Sequence, residues 1–486
     1  MNHAVAKPAV QRIPFLVGGE WRTGSAPALP AINPASGELL GEVGAAGPDD
    51  VDAAVRAAQA AQPAWAALRG HQRAALLQAI AAQIEQHAEA LALTQTRENG
   101  KPLAESRQQA KSAAGIFRYY AAEIETFAAE VTPPRGDYVS MTSYEPLGVV
   151  AAITPWNSPL TMDAQKAAPA LAAGNAVILK PSELTPQTSL ALGRLCLEAG
   201  LPPGLLNVLP GSGADTGAAL VQHPGVRMIS FTGGTATGRA IARVAAERMI
   251  PACFELGGKS PQIVFADADV ERALEGVLWG IFEAMGQSCV AGSRLFVQQA
   301  LYPRFVEALV AKTRALRLGP PEDPHTQVGP LASEQRVQHV DTIVQAARRD
   351  GAQLLCGGAR PAGAQFGRGA YYLPTILAGM RNDAAVCQTE IFGPVLCVLP
   401  FADEEDLVAQ ANHSEFGLAC GIWSADFARA WRVARRIEAG TVWINTYKQL
   451  SITTPFGGYK QSGLGREKGR QGLLPYLQAK SIYLAT

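Results

Sequence analysis

The sequence predicts an α/β protein built from two successive series of buried parallel strands, and three observations carry that prediction. Largely apolar runs at residues 149–153, 176–179, 206–209 and 228–231 are each followed by a turn and a helical segment. Runs of that kind fit strands covered on both faces by crossover helices. A second alternating series begins at 262–265 and continues through 293–298, 354–356, 395–399 and 441–445. The 486-residue length, with 48% hydrophobic and 17% charged residues, supplies apolar material for more than one core and too little charge for disorder.

Taken in order, residues 16–19 and 41–43 read as short strands around turns. Pro48-Asp49-Asp50 opens an alanine-rich helical stretch, and residues 50–68, 73–98 and 104–130 carry apolar positions at the helical period among strong helix formers. Thr132-Pro133-Pro134 followed by 138–144 reads as a hairpin-like interruption, and 481–485 alternate like an edge strand. Exposed edges invite pairing, so both are expected to bridge subunits. The strand series that starts at residue 149 reads as a doubly wound, Rossmann-like nucleotide-binding sheet, whose ligands sit beyond the carboxyl ends of the strands.

Charge and cysteine usage exclude several classes. Lys+Arg and Asp+Glu both number 42, so no overall field recruits nucleic acid or an anionic membrane, and a small-molecule substrate is expected. Residues 1–15 lack the apolar run of a secretory signal, and no stretch reaches the roughly 18 apolar residues of a membrane span. The seven cysteines are odd in number, with no CxxC pair and no histidines at zinc spacing, so neither a disulfide framework nor a metal site is indicated. Unpaired thiols point to a reducing cytoplasm.

Several turns carry polar groups to the predicted sheet edge. Asn157, in Thr154-Pro155-Trp156-Asn157-Ser158-Pro159, either aims amide donors into a crevice or caps a turn between prolines. Lys180-Pro181-Ser182-Glu183 offers hydrogen bonds to ribose hydroxyls, and a carboxylate there repels a 2′-phosphate; solvation of both charges is the plain alternative. Gly211–Gly217 and Gly233–Gly238 precede helices as pyrophosphate-binding turns do, without GxGxxG spacing, and either could be purely structural. Glu255, in Phe254-Glu255-Leu256-Gly257-Gly258-Lys259, is an acid in apolar surroundings and a candidate base, unless Lys259 pairs with it. Cys289 lies on a turn before the 293–298 strand rather than at a periodic core position, which favours reactivity without establishing it.

Together, Pro155-Trp156-Asn157, Lys180-Pro181-Ser182-Glu183, Phe231-Thr232-Gly233, Glu255-Leu256-Gly257-Gly258, Gly286-Gln287-Ser288-Cys289, Glu390-Ile391-Phe392-Gly393-Pro394 and Pro455-Phe456-Gly457-Gly458-Tyr459-Lys460 closely resemble the aldehyde dehydrogenase superfamily, in the same order and from about Gly18 to Ser481. The resemblance implies an NAD-binding domain over 1–124 and 146–257, a catalytic domain over 258–465, and a small β oligomerisation domain from 125–145 and 472–486. It also implies a homodimer or homotetramer. Cys289 would attack the aldehyde carbon, Asn157 and the Cys289 backbone N–H would hold the oxyanion, and Glu255 would activate the hydrolytic water.

For the cofactor, the resemblance implies NAD, with NADP second. Ile153 and Trp156 would lie near the nicotinamide half, Lys180 and Glu183 at the adenosine ribose, Gly213 and Gly217 by the adenine, and Glu390 with Phe392 at the nicotinamide ribose. Ser182, Phe231, Gly233, Gly234, Thr235 and Leu256 complete the set. Gly234 departs from a serine common in the family, leaving phosphate contact to backbone N–H groups and Thr235. Ser158 and Gln165 replace aromatic residues, so the substrate entrance is expected to be wider or more polar, and Lys448, Gln449 and Leu450 would also line it. Two rival readings remain: a CoA-acylating enzyme, against which Glu255 argues, and an inactive NAD-binding homologue, against which Asn157, Glu255 and Cys289 argue jointly.

Overall fold

Five sheets organise the chain over residues 12–486, the part described by the computed structural model. The reading of residues 1–15 as free of an apolar leader falls largely outside those described.

Val149–Ile153 lies inside an eight-stranded sheet. Ala176–Lys180 and then Leu206–Val208 follow on one side, Met228–Thr232 and then Ala252–Glu255 on the other, all parallel. The winding direction therefore reverses at Val149–Ile153, which opens a crevice beyond its carboxyl end and that of Met228–Thr232. Antiparallel partners cover the flanks: Phe15–Val17 beside Leu206–Val208, and Gly463–Leu464 beside Ala252–Glu255. Every residue of Val149–Ile153 and Ala176–Lys180 is buried, which explains runs without polar alternation.

The second sheet holds seven strands. Pro261–Val264 is flanked by Arg294–Gln298, Val395–Phe401 and Thr375–Ala378 on one side and by Ala419–Trp423 and Thr441–Ile444 on the other, all parallel. Gln353–Cys356 closes one edge antiparallel. Alternate residues feed opposite cores: Ile263, Phe296, Cys397 and Ile422 pack on one face, and Val264, Leu295, Val398 and Trp423 on the other.

Sequence and structure differ in three places that matter. Residues 73–98 form two helices, Gly70–Gln86 and Ala88–Asn99, because His87 leaves the helical region (φ −105°, ψ 14°) while buried residues continue on both sides. Thr375–Ala378 and Ala419–Trp423 were not expected, since apolar runs this short do not distinguish strand from buried helix. Glu255 ends the strand Ala252–Glu255 of the first sheet rather than merely preceding the second.

Helix Pro48–Ala66 starts as its acidic first turn suggests, with the Gly47 N–H donating to Asp50 Oδ2 at 2.9 Å. Helix Leu103–Thr126 stops short of residue 130, where the chain turns into Glu130–Thr132. That strand, Tyr138–Pro146 and Leu477–Ala485 form one antiparallel sheet, on which Val131, Ile482, Tyr483 and Leu484 are exposed. Among the described residues, no helix is long and apolar enough to cross a membrane.

Candidate active site

A cavity of about 670 Å³ opens where the carboxyl edge of the first sheet faces the loop leading into Arg294–Gln298. Its wall includes Trp156, Asn157, Gly233, Gly234, Glu255, Leu256, Cys289, Glu390 and Phe392. Residues separated by more than two hundred positions thus meet in one place. Among the described residues, the wall does not include Ile153, Lys180, Ser182, Glu183, Gly213, Gly217, Phe231 or Thr235.

Those remaining positions lie along the same sheet edge. Ile153 pairs with Lys180 on one side and Phe231 on the other. Lys180 is buried, with its ammonium 3.0 Å from the Pro181 carbonyl and 3.7 Å from the exposed Glu183 carboxylate. Burial pulls the lysine pKa down and Glu183 opposes it. A side chain at Gly217 would stand 3.9 Å from the Lys180 stem. Gly213–Gly217 forms a π-helical turn, and Gly234 is the N-cap of Thr235–Glu247. Space above Gly234 is open, and the hydroxyls of Thr232 and Thr235 are buried without a hydrogen-bond partner among the described residues.

The segment carrying Cys289 is held in an unusual backbone. Ala284 and Met285 both have φ of 55°, followed by Gly286 at 68°, so non-glycine residues occupy the left-handed region in the turn before the cysteine. Phe392, Lys448 and Lys468, which also line the cavity, have φ of 54°, 56° and 60°. Tyr447 Oη donates to the Val290 carbonyl at 3.0 Å, and the Ala332 N–H to Gln287 Oε1 at 3.0 Å. Cys289 is half-buried, whereas the other six cysteines are buried. Burial, reinforced by the negative charges of Glu255 and Glu390, pushes its thiol up to about 12.

Glu255 is 3% exposed, and neither carboxylate oxygen has a hydrogen-bond partner among the described residues. Lys259 does not pair with it; that ammonium is itself buried and unpartnered among the described residues. Burial first, and then the Glu467 carboxylate, raise the Glu255 pKa well above the ordinary range, with Lys166, Arg466 and Lys468 opposing. The strand pairing Glu255↔Gly463 brings residues 455–465 alongside, and a side chain at Gly457 would come within 2.9 Å of Glu255 Oε1. Glycine there keeps room beside the carboxylate.

Asn157 Nδ2 donates to the Gln287 carbonyl at 2.9 Å, so this amide faces the Cys289 loop rather than simply capping its own turn. Glu390 Oε1 accepts from the Gly258 N–H at 3.0 Å, and Phe392 meets Trp156 edge-on at 5.3 Å between centroids. Arg336, unremarked in the sequence, holds this segment by donating to the Ile391 and Phe392 carbonyls at 2.7 and 3.0 Å.

On the substrate side, Gln165 is buried and its amide donates to Glu467, while Lys166 binds the same carboxylate at 2.6 Å. Sequence reasoning missed Lys166 and Glu467. A lysine directly before the apolar run of 167–173 was the available signal, because a buried charge requires a partner. Lys448 is neither solvated nor free: it pairs with Glu283 at 3.1 Å and donates to the Trp279 carbonyl at 3.3 Å.

Residues 21–482 match the model of the aldehyde dehydrogenase family. The chain is 43% identical to betaine aldehyde dehydrogenase of Mesorhizobium japonicum, over 94% of each chain. It superposes on PnpE of Pseudomonas sp. WBC-3, solved with nicotinamide adenine dinucleotide, with a TM-score of 0.96 at 39% identity, covering 98% of both chains. Aldehyde dehydrogenase of Bacillus cereus, solved with NAD+, gives a TM-score of 0.95 at 38% identity, covering 98% of this chain and 97% of that one. With the motifs, both sheets and almost the full length matched, the chain belongs to the aldehyde dehydrogenase family.

Proposed function

We propose that this chain oxidises an aldehyde to its carboxylic acid with NAD, through a covalent adduct on Cys289. The observation that supports it most is the meeting of Asn157, Glu255 and Cys289 on one cavity wall. NAD suits the residues present: unpartnered Thr232 and Thr235 hydroxyls and open space above Gly234 lie at the positive end of helix Thr235–Glu247. Lys180, Ser182 and Glu183 would hold the adenosine ribose, Gly213 and Gly217 the adenine, and Gly233, Gly234 and Thr235 the pyrophosphate. Ile153, Trp156, Phe231, Leu256, Glu390 and Phe392 would position the nicotinamide half. The bound dinucleotide supplies the hydride acceptor.

The protein's own work follows from the geometry. Cys289 Sγ bonds to the aldehyde carbon, and the resulting oxyanion takes hydrogen bonds from the Asn157 amide and the Cys289 backbone N–H. A thiol raised to about 12 gives up its proton only to a base within reach, and the free oxygens of Glu255 serve. Loss of hydride from the adduct leaves a thioester, and Glu255, having passed the thiol proton to solvent, takes a proton from water, whose oxygen displaces the Cys289 sulfur as thiolate and releases the acid. A raised Glu255 pKa makes the carboxylate a stronger base than an exposed glutamate.

We assign residues 1–124 and 146–257 to cofactor binding, 258–465 to catalysis, and 125–145 with 472–486 to assembly of a homodimer or homotetramer. Exposed Val131, Ile482, Tyr483 and Leu484 support the last assignment. Seven free thiols suit a reducing cytoplasm. Cys289→Ala is expected to abolish NADH formation while NAD still binds, read by absorbance and calorimetry; retained turnover would overturn the proposal.

A further inference from the structure

We propose that Asp163 is a positioning residue for aldehyde oxidation: it fixes the turn that carries Trp156 and Asn157 by holding Thr154 against Ser189 of helix Pro186–Glu198. The inference rests on Asn157 being the oxyanion donor. Asp163 is not on the cavity wall among the described residues, so it acts through Thr154 and not on substrate.

Asp163 is the one acid of helix Pro159–Ala172, whose residues from 163 to 172 are all buried. It lies five residues beyond the Ser158 N-cap, too far along to cap that helix. A buried carboxylate is costly unless its oxygens are hydrogen-bonded, and here each oxygen has a hydroxyl from a different element. Thr154 Oγ1 donates to Oδ1 at 2.6 Å, and Ser189 Oγ donates to Oδ2 at 2.5 Å. Those are the lengths of charge-assisted O–H···O bonds. Asp163 and Ser189 are 0% exposed and Thr154 3%, so water does not compete for these contacts. Lys166 favours the ionised acid, but its ammonium bonds Glu467 at 2.6 Å and Ser230 at 3.1 Å. The two hydroxyls are therefore the partners that the acid has.

Both ends of this bridge bear on the site. Thr154 directly follows strand Val149–Ile153, and its N–H makes a backbone bond to the Lys180 carbonyl at 3.1 Å. Its hydroxyl on Asp163 is the next hold on the chain. Pro155 then locks its own φ, so the direction set at Thr154 passes to Trp156 and Asn157. Farther along, the Trp156 carbonyl accepts from Asn99 Nδ2 at 3.3 Å and the Asn157 amide donates to the Gln287 carbonyl at 2.9 Å. On the other side, the helix supplying Ser189 is fixed at its start by a second buried acid. Glu98 accepts from the Gln187 and Thr188 N–H groups at 2.7 and 2.9 Å and from the Thr188 hydroxyl at 2.7 Å. Asp163 thus joins the oxyanion turn to an anchored helix.

The test is a double-variant cycle on kcat, built from Asp163→Ala, Thr154→Val and the two together, with a thermal scan of each protein. Rates are taken at pH 8, because burial pushes the Asp163 carboxyl up to about 7, against Ser189, Thr154 and Lys166, and ionisation is then largely complete. Each single variant is expected to lower kcat by about tenfold or more, as a small misplacement of a reacting group does. The double variant should lose little beyond either single one, and the aldehyde KM and the NAD Kd should stay within about threefold of wild type. A merely structural role would lower the melting temperature and leave the kcat of the folded protein unchanged. If Asp163→Ala is unfolded, Asp163→Asn takes its place in the cycle. Folded variants with kcat within about twofold of wild type, losses that multiply in the double variant, or a change confined to KM would overturn the inference. Asn157→Ala is measured beside them: an unimpaired kcat there would overturn the underlying reading, whereas an impaired one with unimpaired Asp163 and Thr154 variants would overturn this inference alone.

Discussion

The side-chain amide of Asn157 donates to the Gln287 carbonyl at 2.9 Å and so ties the end of the first sheet to the loop that carries Cys289. A carbonyl accepts only, so it fixes which end of the amide presents N–H groups, leaving the second N–H for an oxyanion. Asn157→Ala is expected to lower kcat by roughly 10²–10³-fold, as the loss of one preorganised donor does. Melting should move little, since Tyr447 and Ala332 also hold the loop. Steady-state rates and a thermal scan of the same variant check both halves.

Cys289 should alkylate slowly with iodoacetamide at neutral pH in the protein without dinucleotide. Its thiol is pushed up to about 12, so the thiolate fraction climbs with pH across the alkaline range. Glu255 contributes to the upward push when ionised, and Glu255→Gln should shift the alkylation profile to lower pH. The same variant should lose aldehyde oxidation, because the base is gone. A wild-type profile levelling at about the free-thiol value of 8.5 would contradict the first expectation.

Cofactor choice should turn on Glu183. Its exposed carboxylate, 3.7 Å from Lys180 Nζ, would face a 2′-phosphate with like charge while leaving the lysine to bond a ribose hydroxyl. Glu183→Gln is expected to raise kcat/KM for NADP by about tenfold relative to NAD, through loss of repulsion. Parallel titrations of both dinucleotides with wild type and variant measure the ratio directly.

Lys166 and Glu467 are 0% and 2% exposed in their side chains and make a 2.6 Å pair. Lys166→Met leaves the Glu467 carboxylate buried without its cation and should destabilise the fold by about 3–5 kcal/mol. The double variant Lys166→Met with Glu467→Gln should recover much of that loss. Denaturant unfolding of the single and double variants decides whether the cost comes from the stranded charge or from lost packing.

The sequence by itself determined the two α/β series and singled out the candidate reactive residues. Strands buried on both faces are written as continuous apolar runs, and turns such as Pro155-Trp156-Asn157 and Gly286-Gln287-Ser288-Cys289 interrupt those runs with polar or reactive groups. Element boundaries were less legible: His87 breaks a helix without disturbing its apolar period, and Ala419–Trp423 is too short for periodicity to classify. The environment of each functional group belonged to the tertiary structure alone. Nothing adjacent to Glu255 indicated that Lys259 would not pair with it, or that Glu467, more than two hundred residues later, would add to burial in raising its proton affinity. Gln165 could be read as a missing aromatic, but only its contact with a carboxylate oriented its amide and left its Oε1 buried without a partner among the described residues. Local sequence governs backbone propensity and burial pattern, whereas proton affinity and hydrogen-bond polarity depend on groups that only long-range packing brings within a few ångströms.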